Sequence, residues 1–198
     1  MRLFVALNLP EALRQALWAA VAPVRDLDLP LHWVRPDGIH LTLKFLGDTL
    51  DDRSPEMCRA LARAAGEGGG APGSAPAAAR PVTVALEGFG AFPDVHRPRV
   101  LWAGVAGDPA LELLQHRLER EFAPLGFPTE ARTFRPHVTL ARTQRDARPA
   151  DFARSGLGGV LDALQFAETT LIETIDLMRS ELRRDGALYH VMHREQLA

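Results

Sequence analysis

The sequence predicts an α+β fold that is bilobal, with an antiparallel sheet beneath outer helices in each lobe. Short apolar runs typical of strands alternate with segments whose apolar residues recur every three to four positions, as in helices. In addition, a strand, a proline-opened helix and a strand beginning His-x-Thr-Leu occur twice. The distance from the first strand to that histidine is 37 positions in one copy (Leu3 to His40) and 36 in the other (Leu101 to His137). Two such units, related by a pseudo-twofold axis, would bring the His-x-Thr-Leu strands together at a central cleft.

The first copy has a local signal for each element. The alternation of apolar and polar residues that is typical of a strand is clearest over 39–46, where apolar residues occupy one face and His40, Thr42 and Lys44 share the other. The predicted elements are, in order, a strand at 1–7, a helix at 11–21 limited by Pro23, a strand at 31–34, a strand at 39–46 and a helix at 54–65.

The second copy follows a segment of low complexity. Residues 66–80 are rich in Gly, Ala and Pro, which predicts a flexible surface loop within a single domain spanning 1–198. The elements predicted after it are strands at 82–87 and 99–105, a helix capped by Asp108-Pro109, a strand at 137–142, one strand over 166–178, a turn at Asp185-Gly186 and a returning strand at 187–193.

Composition excludes several classes of protein. The 46% hydrophobic and 24% charged residues are typical of a globular chain, and the net charge of −2 argues against a protein that coats nucleic acid through its overall field. The only cysteine, Cys58, excludes an internal disulfide. No apolar run reaches the 18 or so residues that span a membrane, and the residues MRLFVALNLPEALRQ lead us to expect no secretory signal. A cytoplasmic monomer with no membrane association is the expectation.

Two of the seven histidines stand in a repeated pattern. In His40-Leu41-Thr42-Leu43 and in His137-Val138-Thr139-Leu140, the histidine and the threonine share one strand face. A single His-x-Thr pair is most often a surface pair without activity, but two copies at the ends of repeated units indicate a function.

Two imidazoles can act together as general base and general acid near neutral pH, while threonine hydroxyls donate hydrogen bonds to an oxyanion. A phosphodiester needs this combination. A metal site is the weaker alternative, because two histidines without a matched carboxylate or cysteine form a thin ligand set. A nucleophilic mechanism has less support, since Cys58 has no adjacent partner and the G-x-S-x-G motif is missing from the sequence.

These motifs resemble the two-histidine (2H) phosphoesterases, and among them the bacterial and archaeal RNA 2′,3′-cyclic phosphodiesterases, also called 2′-5′ RNA ligase-like proteins. The resemblance spans nearly the whole chain and includes MRLFVAL at 1–7, GFGAFP at 88–93, RVLWAGV at 99–105 and the final strand pair around Ser180 and Tyr189. Its specific part is the doubled motif with its flanking residues, HLTLKFLG at 40–47 and RPHVTLAR at 135–142, whereas GFGAFP alone is weak.

The resemblance implies hydrolysis of a terminal 2′,3′-cyclic phosphate of RNA to a 2′-phosphate, without metal or cofactor. It implies that His137 is the proton acceptor that activates water and that His40 is the proton donor to the leaving 3′-oxygen. Thr42 and Thr139 would bind the phosphate oxygens. The residues alone leave the acid and base roles interchangeable.

Two basic residues are further candidates for phosphate binding. Lys44 shares strand parity with His40 and Thr42, which would direct it into the cleft. Arg142 lies five positions after His137, on the wrong face of a regular strand, yet the related enzymes use an arginine at this place. Phe4 and Phe89 are candidates to stack on a base, although core packing is the stronger expectation for both, and Tyr189 is expected to pack rather than to catalyse.

Other functions stay open at this point. The same chemistry would serve a 2′-5′ RNA ligase or phosphodiesterase, or a small cyclic-nucleotide phosphodiesterase. A non-catalytic RNA-binding module and a purely structural two-lobe protein are the alternatives of another class, and the intact paired motifs speak against both.

Overall fold

The computed structural model describes residues 1–50, 53–66, 80–183 and 186–197. Within these ranges the chain forms nine strands, β1 (Arg2–Asn8), β2 (Leu31–Trp33), β3 (His40–Asp48), β4 (Val82–Phe92), β5 (Val100–Val105), β6 (His137–Thr143), β7 (Ala167–Ile172), β8 (Thr174–Arg183) and β9 (Gly186–Gln196). The same ranges hold six α-helices, α1 (Glu11–Ala20), α2 (Ala22–Arg25), α3 (Ser54–Ala65), α4 (Pro109–Phe122), α5 (Pro149–Ala153) and α6 (Leu157–Ala163). Residues 67–79 of the predicted loop, and Asp185 of the predicted turn, lie outside the described residues.

The strands form one antiparallel sheet in the order β7-β4-β5-β6-β3-β1-β8-β9, with β2 paired to β6. This order has the symmetry that the repeat predicts. The strands β3, β1, β8 and β9 make one half, and β6, β5, β4 and β7 make the other. Helices together with an antiparallel sheet confirm the α+β class. The two lobes and the cleft stay a prediction, because the sheet is continuous.

One face of the sheet carries the main hydrophobic core. Leu41 of β3 and Val138 of β6 are fully buried on it, together with Leu17, Leu61 and Leu114 from the helices α1, α3 and α4. Burying one such side chain stabilises the fold by roughly 1.5–3 kcal/mol. The core therefore fixes β3 and β6 by their alternate residues and leaves the residues between them for the opposite face.

Helix α4 begins where the sequence predicts. Oδ1 of Asp108 accepts hydrogen bonds from the backbone N–H of Ala110 (2.6 Å) and of Leu111 (3.3 Å), which satisfies donors that have no partner inside the helix. The described residues contain no helix long and apolar enough to cross a membrane.

The single strand predicted over 166–178 is wrong. It is two strands, β7 and β8, which separate at Glu173 and pair in opposite halves of the sheet, β7 with β4 and β8 with β1. The run of β-branched residues continues across the break without a glycine or proline, so the local pattern gives no sign that the chain crosses from one half to the other.

Candidate active site

His40 opens strand β3 and is held on three sides. Its Nδ1–H donates to the backbone carbonyl of Gly38 at 2.8 Å. The ring of Phe4 stacks on the imidazole, with 4.8 Å between ring centroids and an interplanar angle of 28°, and Tyr189 meets it edge-on at 5.0 Å. Since Nδ1 is engaged by a carbonyl, Nε2 is the atom left to accept or donate a proton.

Burial lowers the pKa of His40 from its usual 6.5 to about 4. The positive charge of Arg142 lowers the pKa further, while the hydrogen bond to Gly38 works in the opposite direction. In the free protein at neutral pH, the His40 imidazole is therefore neutral, with a lone pair on Nε2.

His137 opens strand β6 and repeats the arrangement. Its Nδ1–H donates to the carbonyl of Arg135 at 2.7 Å, which is again the residue two positions earlier. The ring of Phe92 lies edge-on to the imidazole, with centroids 5.0 Å apart. Both histidines thus have one tautomer fixed by a local backbone acceptor and present Nε2 to their surroundings.

A single registered pair, Leu41 with Val138, joins β3 to β6. Antiparallel register sets the residues on either side of this pair across from each other, so His40 faces Thr139 and His137 faces Thr42. Because Leu41 and Val138 point into the core, these four side chains share the opposite side of the sheet, which we call the site face. Farther along β6 the neighbouring strand is β2 instead of β3.

A β-bulge places Arg142 on the site face. Leu101 pairs with Ala141 and Trp102 with Thr139, so Leu140 is the extra residue in β6. Leu140 and Ala141 are both buried, and the alternation restarts one residue later, which turns Arg142 to the side of His137 and Thr139. The regular-strand interpretation, which set Arg142 on the wrong face, is corrected by this bulge.

A matching bulge in β3 removes Lys44 from the site. Val5 pairs with Lys44 and Ala6 with Thr42, so Leu43 is the extra residue. Lys44 is only 5% exposed, and its Nζ donates to Oε2 of Glu119 at 2.5 Å and to the carbonyl of Pro128 at 3.0 Å. The prediction that Lys44 binds phosphate is wrong, because strand parity does not survive the bulge and the ammonium group is paired on the core side.

The aromatic candidates pack as expected rather than lining an open surface. Phe4 is 3% exposed, and Phe89 contacts Phe166 at 5.9 Å between ring centroids. Tyr189 packs edge-on against both Phe4 and His40, and burial raises its pKa, against the opposing positive charges of Arg142 and Arg2.

Several parts of the site have no sequence signal. Nothing in the sequence indicates that the backbone carbonyls of Gly38 and Arg135 accept hydrogen bonds from the two histidines, and Tyr189 comes from the far end of the chain. One weak signal is Gly38, where a Cβ would lie 3.1 Å from the Tyr189 ring, so the absence of a side chain permits the close contact.

A buried carboxylate lies beside the His40 strand. Asp176 of β8 is fully buried, and it accepts hydrogen bonds from Nδ2 of Asn8 at 2.6 Å and from the guanidinium of Arg194 at 2.6 and 3.0 Å. Asn8 is in turn the registered partner of His40. This network ties β3, β1, β8 and β9 together next to the imidazole. In the described part of the chain, no group of three or more His, Cys, Asp or Glu side chains is arranged to hold a metal ion.

Comparison with known proteins points to one family. The model of the 2′-5′ RNA ligase superfamily matches residues 13–184. The RNA 2′,3′-cyclic phosphodiesterase of Thermus thermophilus is 32% identical, over 100% of this chain and 90% of its own length. The proteins of the same name from Aquifex aeolicus and Methanothermobacter thermautotrophicus are 31% identical (84% and 82% covered) and 28% identical (95% and 94% covered), respectively.

Solved structures show the same fold. A crystal structure of a Thermus thermophilus protein superposes with a TM-score of 0.73 at 29% identity, covering 100% of this chain and 98% of that one. Escherichia coli LigT, in a crystal structure with 3′-AMP, superposes with a TM-score of 0.70 at 23% identity, covering 99% and 97%.

Proposed function

The chain belongs to the 2′-5′ RNA ligase superfamily of phosphoesterases, and from this premise we propose that it hydrolyses the terminal 2′,3′-cyclic phosphate of RNA to a 2′-phosphate. The observation that carries the proposal is the matched pair of histidines. Each has Nδ1 fixed on a backbone carbonyl, each presents Nε2, and each lies across from the threonine of the other motif.

In the proposed reaction, Nε2 of His137 takes a proton from water as the water oxygen attacks phosphorus. The bond between phosphorus and the 3′-oxygen breaks, and Nε2 of His40 gives its proton to that oxygen. Water thereby adds across the ester, leaving a 3′-hydroxyl and a 2′-phosphate. The hydroxyls of Thr42 and Thr139 donate to the non-bridging oxygens, where negative charge collects in the transition state.

Arg142 supplies the positive charge in this scheme. Its positive charge lowers the pKa of His40 and opposes the rise in the pKa of Tyr189, so it acts on the half of the site that holds the proposed acid. A guanidinium binds phosphate oxygens through paired N–H donors, which orients the ester as well as neutralising it.

The donor role of His40 requires a proton that the free protein does not hold at neutral pH. In our proposal, a phosphate anion bound next to the imidazole favours its charged form and opposes the effects of burial and of Arg142, so the pKa of His40 rises in the complex. The substrate thus brings about the protonation state that its own cleavage needs.

We place this activity in the cytoplasm, in a monomer that uses no cofactor. Burial raises the pKa of the lone Cys58, which keeps the side chain a thiol and makes it a poor nucleophile.

The proposed partner is RNA ending in a 2′,3′-cyclic phosphate. Ligation or cleavage of 2′-5′ linkages would use the same groups and is the second arm of the test below.

The test is a short RNA ending in a 2′,3′-cyclic phosphate, incubated in EDTA with the wild type, with a His40→Ala/His137→Ala double variant and with His116→Ala. His116 is exposed on α4 and serves as the matched control. Conversion to a 2′-phosphate by the wild type and by His116→Ala, but not by the double variant, is expected. A 3′-phosphate product, or equal turnover by the double variant, would contradict the proposal; a 2′-5′ linked oligomer tested in parallel identifies the alternative substrate.

A further inference from the structure

A third cross-strand pair continues the site face beyond the two motifs. Past the single pairing of β3 with β6, strand β2 lies beside β6, and His32 of β2 pairs in register with Arg142. The third pair adds a histidine that belongs to neither motif. In order along β6, the cross-strand pairs of the site face are Thr42 with His137, His40 with Thr139, and His32 with Arg142.

The side chain of His32 points to the site face because its neighbours point into the core. Leu31 is buried, and Trp33 packs against the same apolar cluster, which includes Ala141 of β6. Successive residues of a strand alternate between the two faces, so His32 is directed away from this cluster. The bulge in β6 turns Arg142 in the same direction. The imidazole and the guanidinium therefore share one side of the sheet.

Both side chains of this pair are exposed, and both carry hydrogen-bond donors. Within the described part of the chain, neither side chain has a hydrogen bond or an ion pair. A guanidinium offers five N–H donors and an imidazole offers at least one. Two such groups across from each other are suited to the oxygens of an anion, above all of a phosphate, which accepts several hydrogen bonds at once.

Distance along the strand separates this pair from the reacting phosphate of the proposed function. Arg142 follows Thr139 by three residues, one of which is the bulge. A strand rises about 3.3 Å per residue, so the pair lies roughly 7–10 Å along β6 from Thr139. The side chain of Arg142 is long enough to turn back toward Thr139, whereas the short imidazole of His32 is not. His32 is therefore placed for a second anion.

We propose that His32, together with Arg142, binds the phosphodiester on the 5′ side of the nucleotide that carries the cyclic phosphate. This inference rests on the proposed function, in which the reacting phosphate lies at Thr42 and Thr139. RNA has another phosphate one nucleotide upstream of its cyclic end, whereas a cyclic mononucleotide has none. The pair therefore favours an RNA chain over a small cyclic nucleotide. Because it binds the backbone, it does so without reading the sequence.

The experiment compares three substrates. Adenylyl-(3′→5′)-adenosine 2′,3′-cyclic phosphate has the upstream phosphodiester, its methylphosphonate analogue has the same linkage without the charge, and adenosine 2′,3′-cyclic phosphate lacks the linkage. In His32→Ala, we expect kcat/KM on the dinucleotide to fall roughly 5- to 15-fold, through KM, and kcat/KM on the other two substrates to change little. His32→Arg supplies donors at the same place and should keep the wild-type preference for the dinucleotide. The control His116→Ala removes an exposed histidine on helix α4 and should match the wild type on all three substrates.

Binding gives a readout that does not need turnover. Calorimetry should show that the wild type binds adenylyl-(3′→5′)-adenosine 2′-phosphate more tightly than adenosine 2′-phosphate, and that His32→Ala loses this preference. Retained binding of adenosine 2′-phosphate shows that the variant is folded. If His32→Ala weakens both compounds equally, or neither, the second phosphate site is overturned, whatever the activity. If the preference depends on His32 but no cyclic phosphate is hydrolysed, the second phosphate site is supported and the proposed function fails.

Discussion

Arg142 and His40 belong to different halves of the sheet, yet the guanidinium of Arg142 lowers the pKa of the His40 imidazole. The bulge in β6 makes this interaction possible by turning Arg142 onto the site face. The two halves of the site are therefore coupled by charge as well as by the Leu41–Val138 pairing.

Replacing Arg142 with Gln should weaken phosphate binding. A charge-assisted hydrogen bond contributes about 1.5–3 kcal/mol, so the Kd of adenosine 2′-phosphate should rise roughly 10- to 100-fold. Loss of the positive charge should also raise the pKa of His40 in the free protein. Calorimetry and an NMR titration of the histidine ring protons measure the two effects, and an unchanged Kd would remove Arg142 from the phosphate site.

Replacing either threonine with valine removes the hydroxyl and keeps the side-chain shape. Turnover by Thr42→Val or Thr139→Val should fall roughly 10- to 1,000-fold, as for the loss of an oxyanion donor. Thr42→Ser and Thr139→Ser keep the hydroxyl and should recover most of the activity. Serine variants as slow as the valine variants would show that packing, and not hydrogen bonding, is the role of the threonines.

The pKa of His40 should rise when a phosphate ligand binds. It is about 4 in the free protein, and a neighbouring phosphate anion favours the imidazolium. An NMR titration with and without saturating adenosine 2′-phosphate would measure this shift, using His116 as the internal reference. A pKa that stays near 4 in the complex would exchange the roles and make His40 the proton acceptor.

Acidification should destabilise the fold through His40. The pKa is lowered on folding, so between about pH 6.5 and pH 4 the unfolded chain binds more protons than the folded protein, and stability falls as the pH falls. The effect is at most about 3 kcal/mol. Urea unfolding of the wild type and of His40→Gln at pH 7.5 and pH 4.5 isolates it: the stability of the wild type relative to the variant should decrease at the lower pH. A constant difference would contradict the lowered pKa.

Breaking the buried Lys44–Glu119 pair should cost stability rather than affect the chemistry. Lys44→Met leaves an uncompensated carboxylate at Glu119, a change that costs about 3–5 kcal/mol, and the Lys44→Met/Glu119→Leu double variant should recover much of it. Denaturant unfolding measures both. KM for the folded variants should match the wild type, and a selective rise in KM for Lys44→Met would restore the lysine to the phosphate site.

Strand periodicity was enough to group the four central side chains. His40, Thr42, His137 and Thr139 follow a period of two within their strands, and the structure places them on one face around the Leu41–Val138 pair. The two bulges could not be read in the same way, because no glycine or proline marks them, and a one-residue slip exchanges the faces of everything beyond it.

Because of the bulge in β3, strand periodicity assigns both Lys44 and Phe45 to the wrong face of the sheet. Periodicity directs Lys44 toward the site and Phe45 into the core, and the structure has each on the other side. Local sequence patterns also could not predict which residues pack beside His40. Tyr189 and Asp176 meet the His40 half only because β8 pairs with β1, a contact between opposite ends of the chain.

That pairing also orders the assembly of the protein during synthesis. The half with His137 draws its strands β4 to β7 from one continuous segment, whereas the half with His40 begins with β1 and is completed by the last hairpin, β8 and β9. As the chain leaves the ribosome, the strands β4 to β7 around His137 can pair before β8 and β9, which complete the half with His40, have been synthesised. A chain cut after β7 would keep both histidines, together with Phe4 beside His40 and Phe92 beside His137, and would lose only Tyr189 from the surroundings of His40.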